Sequence, residues 1–311
     1  MGSRPIASKT RRSRYLASGG LFVAFVGLTA ALHSTQAQVP AVAEPTAAIE
    51  HHAGKVIFVE LVAPDLVAEE HFYSGLFGWN FRDSKVGPTN YAEVYLEGRM
   101  IGGMVQKAVP PGENGRPSWL SFIAAGDVDA VAKTAVQNGA KVLRAPHDIP
   151  NRGRQTVLAD PQGAVFAVLA SSSGDTPDDL ASPGEWIWSS LITTDPDTDA
   201  GFYQKLFNYE VYDTPAPDGA EHLTLATEDY ARASANPLPA NKPNVHPHWL
   251  NYVRVDDAAA MAAKVEASGG RVLVAPRVDR HGGKVAVVAD PAGAPFGLLE
   301  WPDTESKEVT K

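Results

Sequence analysis

The sequence predicts an α+β protein in which one domain is written twice. Three observations carry that prediction. The chain repeats itself at an offset of 130 residues: Asp65 with Asp195, Phe72-Tyr73 with Phe202-Tyr203, Leu76-Phe77 with Leu206-Phe207, Trp119 with Trp249, Asp127 with Asp257. The register still holds at Gly139 and Gly269, Asp160-Pro161 and Asp290-Pro291, Phe166 and Phe296, and needs no gap. Within each copy, apolar residues switch between the 2-residue period of strands and the 3.6-residue period of helices. Finally, 311 residues with 44% hydrophobic and 20% charged side chains suit a globular chain of roughly two domains.

The segment before the repeat differs from the rest. Arg4, Lys9, Arg11, Arg12 and Arg14 precede an uncharged apolar run over 15–32, then Ser34-Thr35-Gln36-Ala37. A basic start, an apolar middle and a small-residue end predict a signal peptide over 1–37, cut after Ala37, and a periplasmic or secreted protein. The alternative is a retained membrane anchor, since the apolar run is near the lower length limit for crossing a bilayer. Arg11-Arg12 hints at the twin-arginine route, but Arg14 stands where that motif prefers an apolar residue. A Pro/Ala-rich linker fills 38–53.

Copy one, 54–170, opens with a β-rich run, Val56–Ala63. Asp65 then supplies a helix N-cap. The pairs Phe72/Leu76 and Tyr73/Phe77 stand four apart and give that helix its buried face, and Gly78 ends it. Strand-like runs follow near 91–96, 100–106 and 119–124. A second helix starts at the cap Asp127, shows one stripe of Val128, Val131, Ala132, Ala135 and Val136, and closes at Gly139. Runs at 141–143, 155–159 and 165–169 complete the copy. The last two are joined by Asp160-Pro161-Gln162-Gly163, which has Asp, Pro and Gly where a type I turn wants them. A Ser/Gly/Pro/Asp linker at 171–184 leads to copy two, 185–301, and 302–311 forms a tail. Copy two repeats the pattern, with Pro196 after its cap Asp195, Asn208 in place of Gly78, and a second helix marked by Asp257, Ala258, Met261, Ala262, Val265 and Gly269. Each copy reads βαβββ twice over.

Composition narrows function. With no cysteine, disulfides, thiolate metal sites and a cysteine nucleophile are excluded. The balance of 27 basic and 36 acidic residues argues against a nucleic-acid partner, which needs a basic face. Without the five N-terminal cations the remainder is more acidic still.

Asp65, Phe72-Tyr73, Leu76-Phe77-Gly78-Trp79, Asp127, Gly139 and Asp160-Pro161-Gln162-Gly163 resemble the vicinal oxygen chelate superfamily. That superfamily includes glyoxalase I, extradiol dioxygenases and bleomycin-resistance proteins. Copy two, with Trp249-Leu250-Asn251-Tyr252, Asp257, Gly269-Gly270 and Asp290-Pro291-Ala292-Gly293, is similar to the tandem glyoxalase-like branch. The resemblance implies that each copy is two βαβββ modules forming a curved, cup-like mixed sheet, and that the copies pair intramolecularly. It also implies where a divalent ion would sit: on His and Glu from the first, fourth, fifth and last strands. Counted from the capping Asp residues and the late turn, these positions are Phe58, Leu120 and Ala167 in copy one. In copy two they are Trp188, Leu250 and Gly297. None ligates a cation, and Met104 and Ser234, near the fourth-strand position, are poor ligands. A metal centre is therefore expected in neither copy, and no other cofactor motif is present.

Glu60 is the exception. It stands two residues after Phe58, on the same face of its strand. A carboxylate there would serve as general base or hold a ligand's polar group; the alternative is a half-exposed Glu paired with a neighbouring Arg. Copy two has Ser190 in its place, so the cups are not chemically equivalent. His246-Pro247-His248 has metal-like spacing but reads as a loop entering a strand, and His51-His52 read as solvated linker. Arg152-Gly153 and Gly282-Gly283 read as turns. The inward-facing set is Phe58, Glu60, Leu120 and Phe122 in copy one, and Trp188, Ser190, Leu250, Tyr252 and Arg254 in copy two. These residues suit a pocket for a small hydrophobic or aromatic ligand, or equally a filled core. The expected function is metal-free binding or sequestration of such a compound. The alternatives are a glyoxalase- or dioxygenase-like lyase, isomerase or oxidoreductase using Glu60 or an unrecognised metal set, and a structural protein with filled cups.

Overall fold

Each copy folds into one eight-stranded mixed sheet with two helices. The computed structural model describes residues 50–108, 116–214, 222–240, 244–279 and 283–301, so the expected export segment and tail lie outside the described residues. Copy one runs β1 (Val56–Ala63), α1 (Leu66–Phe77), β2 (Asn80–Val86), β3 (Thr89–Leu96), β4 (Arg99–Gln106), β5 (Ser118–Ala124), α2 (Val128–Gln137), β6 (Lys141–Ile149), β7 (Gly153–Ala159) and β8 (Val165–Ser171). Copy two repeats this as β9 (Trp186–Thr193), α3 (Pro196–Phe207), β10 (Glu210–Asp213), β11 (Leu223–Thr227), β12 (Tyr230–Pro237), β13 (His248–Arg254), α4 (Ala258–Ala267), β14 (Arg271–Val278), β15 (Lys284–Ala289) and β16 (Pro295–Leu299). The sheet orders are β2-β3-β4-β1-β5-β8-β7-β6 and β10-β11-β12-β9-β13-β16-β15-β14. Inside each module the first and last strands are parallel, and the modules join through antiparallel β1–β5 or β9–β13.

The helices form where the capping chemistry placed them. Asp65, Asp127, Asp195 and Asp257 each accept a backbone N–H from the first turn, and Gly78 and Asn208 close α1 and α3 in the left-handed region at φ 71 and 57. Val136, expected in the buried stripe of α2, is half-exposed, because Val131, Ala132 and Ala135 already complete the contact. Two strands carry no readable alternation in the sequence. In β2 only Phe81 is partly buried and β10 is nearly as exposed; both are polar edges held by backbone pairing. The constant offset also slips. In the β3–β4 and β11–β12 hairpins it becomes 131, so Gly103 faces Glu60 where Ser234 faces Ser190.

The two copies pair across two cores, the first module of one against the second module of the other. Phe72, Tyr73, Leu76 and Trp79 pack with Val253, Val265, Phe296 and Leu298. Phe202, Tyr203, Phe207 and Tyr209 pack with Ile123, Val131, Leu158 and Phe166. A matching polar clasp crosses each core. Tyr73 donates to Asp290 Oδ2 at 3.0 Å and accepts from Trp119 Nε1 at 2.8 Å; Tyr203 donates to Asp160 Oδ2 at 3.1 Å and accepts from Trp249 Nε1 at 2.9 Å. The late turn therefore does two jobs. Asp160 Oδ1 takes the N–H groups of Gln162, Gly163 and Ala164, while its other oxygen holds the opposite copy. Beside Asp290 lies Glu69, only 1% exposed, with Oε1 accepting from Ala292 N at 3.2 Å. Burial and the neighbouring Asp290 push the Glu69 carboxyl up to about 8, so at neutral pH this pair holds a proton.

Candidate functional site

The concave faces of the two sheets form the expected cups, and strand register fixes what points into them. In copy one Phe58 lies opposite Phe122, Glu60 opposite Leu120 on one side and Gly103 on the other, and Phe122 opposite Ala167. Phe58, Leu120, Phe122, Val157, Ala167 and Leu169 pack as one apolar floor. In copy two Trp188 faces Tyr252, Ser190 faces Leu250 and Ser234, and Tyr252 faces Gly297. Ile187, Trp188, Leu250, Tyr252, Val285, Leu299 and Trp301 form the corresponding apolar cluster. Every sequence-predicted site residue except Arg254 thus sits in a cup. Arg254 donates to the Ala181 carbonyl at 2.8 Å and lines a groove of about 320 Å³ between α1 and α4.

The resemblance would place a divalent ion at Phe58, Leu120 and Ala167 in copy one and at Trp188, Leu250 and Gly297 in copy two; on the fourth strands, register sets Gly103 beside Glu60 and Ser234 beside Ser190. Met104, placed near the fourth-strand position from sequence, is buried in the interdomain core, because the one-residue slip turns Gly103 inward. Nor is there room for a longer side chain. A Cβ on Gly103 would lie 1.9 Å from the Tyr91 hydroxyl and 3.1 Å from Phe58; one on Gly297 would lie 1.9 Å from the Tyr252 ring. An aromatic group fills the space a ligating side chain needs in each cup. These residues do not fit a glyoxalase-type metal centre. Among the described residues, the one cluster of His and acidic groups within 4.8 Å is His52, Asp178 and Glu228, outside the cups. Its carboxylates are already taken by cations: Lys55 holds Asp178 at 2.7 Å, and Arg232 pairs with both Asp178 and Glu228. His51 and His52, expected to be solvated, instead pair with Asp175 at 3.5 Å and Glu228 at 3.0 Å.

Glu60 meets an arginine. Arg152, from the β6–β7 turn, reaches across the cup and donates to Glu60 Oε2 at 2.9 Å and to the Tyr91 hydroxyl. Its guanidinium lies 4.5 Å over the Phe58 ring and 5.6 Å from that of Phe122, both within cation–π range. The Arg152 and Glu60 side chains are 20% and 14% exposed, so the pair is partly shielded. Burial opposes the Arg152 charge, but Glu60 and Tyr91 outweigh it and raise its pKa; burial and the Glu60 charge push the Tyr91 phenol up as well. Further along the same face, Gln155 is 5% exposed and its Oε1 is buried with no hydrogen-bond partner. His147, opposite Gln155 on β6, has its Nε2 in the same condition.

Copy two is built differently. Ser234 accepts from Trp188 Nε1 at 3.1 Å and Asn236 Nδ2 at 3.2 Å, and shares a 2.7 Å bond with Ser190; His222 Nδ1 lies 2.7 Å from Asn236 Oδ1. Trp301 stacks on Trp188 at 6.4 Å between ring centroids. Register turns His248, the second histidine of the H-x-H stretch, toward this cup beside Ile192, and burial holds its pKa below the ordinary value. Sequence reasoning missed Arg152, Tyr91, Gln155 and His147. Period-2 alternation from Val157 would have found Gln155; nothing local announces that a turn arginine crosses the cup.

Comparison with known proteins agrees with this fold. Among curated relatives, a putative glyoxylase, CFP32, from Mycobacterium tuberculosis is 32% identical over 81% of this chain and 96% of its own. The anthracycline biosynthesis protein DauV of a Streptomyces species is 30% identical over 79% and 93%. Of solved structures, the Mn(II)-bound glyoxalase from Novosphingobium aromaticivorans superposes with a TM-score of 0.57 at 16% identity, covering 80% of this chain and 83% of its own. A homoprotocatechuate 2,3-dioxygenase variant from B. fuscum gives 0.58 at 12% identity, covering 84% and 76%. The glyoxalase-like domain model matches residues 57–169 and again 189–299, one match per copy: the chain belongs to the glyoxalase-like domain family.

Proposed function

We propose that this chain is a metal-free small-molecule-binding member of its family, whose cups take hydrophobic or aromatic compounds, and that residues 1–37 direct its export. The observation that carries the metal-free reading is the pair of glycines, Gly103 and Gly297, each covered by an aromatic group where a ligating side chain would project. Apolar floors with a few inward polar groups are the usual form of small-molecule sites. The relatives named for anthracycline biosynthesis are consistent with a role on a small organic compound.

Thermal-shift screening of the full-length protein against a library of small aromatic compounds, with and without a chelator, tests the reading. A compound that raises the melting temperature equally in both conditions supports it. A blank screen, or stabilisation that the chelator abolishes, overturns it. The enzyme reading is favoured by the relatives named as putative glyoxylase and by the presence of Glu60 in a cup. It requires Glu60 to leave Arg152 when substrate arrives. Export is tested by N-terminal sequencing of the mature form, expected to begin near Gln38; a start at Met1 or Gly2 would show a retained segment.

A further inference from the structure

We infer that the cup of copy one is a recognition site for an uncharged aromatic compound carrying a hydrogen-bond donor, and that Gln155 and His147 read the donor. This deepens the small-molecule reading and rests on it. Three features define the ligand. The floor of Phe58, Leu120, Phe122, Val157, Ala167 and Leu169 is apolar and partly aromatic, which suits a flat ring. Arg152 and Glu60 cancel each other inside the cup, so an ionised ligand would enter without a counter-charge.

The third feature is the polarity of the unmet groups. Gln155 Oε1 is an acceptor, buried and unpartnered on a side chain that is 5% exposed. It shares its face with Val157, Ala167 and Leu169, since Gln155 lies opposite Leu169 and Val157 opposite Ala167. His147 Nδ1 stands 2.8 Å from the Ala145 carbonyl, which can only accept, so Nδ1 carries the proton. In the neutral ring the buried Nε2 is then an acceptor too. Gln155 Oε1 and His147 Nε2 are both unmet acceptors on paired strands, and a buried acceptor is costly unless something brings a donor to it. A hydroxyl on the ligand does so; a carboxylate or an ether does not. Copy two has Val285 and Arg277 at the corresponding paired positions, so this reading belongs to copy one alone.

The test uses phenol, anisole and benzoate as probes of equal ring size, titrated into the full-length protein and followed by NMR on the Gln155 side-chain amide and the His147 ring. Phenol is expected to shift both and to bind about fivefold tighter than anisole, the effect of one added hydrogen bond. Benzoate is expected to bind no better than anisole. Gln155→Leu, which removes the unpartnered buried Oε1, should bring phenol and anisole to within about twofold; His147→Leu should narrow the same gap independently. Ser234→Ala, in the other cup, should change nothing. Equal binding of phenol and anisole, tightest binding of benzoate, or a gap that survives both copy-one variants overturns the inference. Shifts confined to Ser190, Ser234 and Asn236 also overturn it while leaving small-molecule binding intact. No shift from any probe overturns it as well, and the wider reading then stands or falls on the library screen.

Discussion

Glu69→Gln changes how stability depends on pH, and the direction follows from the interdomain core. Glu69 and Asp290 are buried together, and the pair keeps a proton because burial, and then the neighbouring carboxylate, disfavour a second negative charge there. A carboxyl whose pKa is raised by folding contributes fully below its unfolded value, here 4.5, and its contribution is lost as pH rises through about 8. Within that window each pH unit removes up to ~1.4 kcal/mol, a ceiling of about 5 kcal/mol across the whole span. Glutamine keeps an acceptor for the Ala292 N–H, offers an amide donor to Asp290, and has no proton to lose. Urea unfolding, read by fluorescence of the Trp79, Trp119 and Trp186 cluster, measures both proteins from about pH 5 to about pH 9. The wild type should lose stability relative to the variant across that range, and the variant should be the more stable of the two at the alkaline end. Parallel pH curves, or a variant weaker than wild type at the alkaline end, would refute the shared-proton reasoning.

Other outcomes follow from the same contacts. Tyr73→Phe and Tyr203→Phe each leave a buried Asp oxygen without its cross-domain donor and should each cost about 1–3 kcal/mol in urea unfolding. The double variant should be near additive, because the two clasps lie in separate cores. Gly297→Ala drives a methyl into the Tyr252 ring and should cost about 1–3 kcal/mol, with the near-UV dichroism of copy two altered. Glu60→Leu strands the Arg152 charge among Phe58, Tyr91 and Phe122; about 1–2 kcal/mol is expected, less than for a fully buried pair because both side chains keep some solvent. Adding Arg152→Met to Glu60→Leu should recover most of that loss, as thermal unfolding would show.

Much of this architecture is legible residue by residue. Asp65, Asp127, Asp195 and Asp257 announce four helix starts because capping is a local interaction. The 130-residue echo discloses a duplicated domain before any packing is known. The polar edges β2 and β10 escape because their pairing lies in backbone hydrogen bonds rather than in a buried face. The slip that turns Gly103 instead of Met104 into the cup escapes because duplicated chains tolerate a single added residue where a loop later absorbs it. Asp160 and Asp290 looked like turn residues and are, but their second oxygens bind the other copy, which no local pattern records. Strand alternation puts Glu60 on the same face as Phe58, while its partner Arg152, 92 positions later, depends on the closed sheet to bring a turn across it.

The metal content of the purified full-length protein tests the central claim most directly. Elemental analysis after preparation without chelator should find transition metal well below one equivalent per chain, and adding Mn²⁺ or Zn²⁺ should leave the melting temperature unchanged. One tightly held equivalent, removed by changing a cup residue such as Glu60, would contradict the assignment of both cups to ligand binding without a cation.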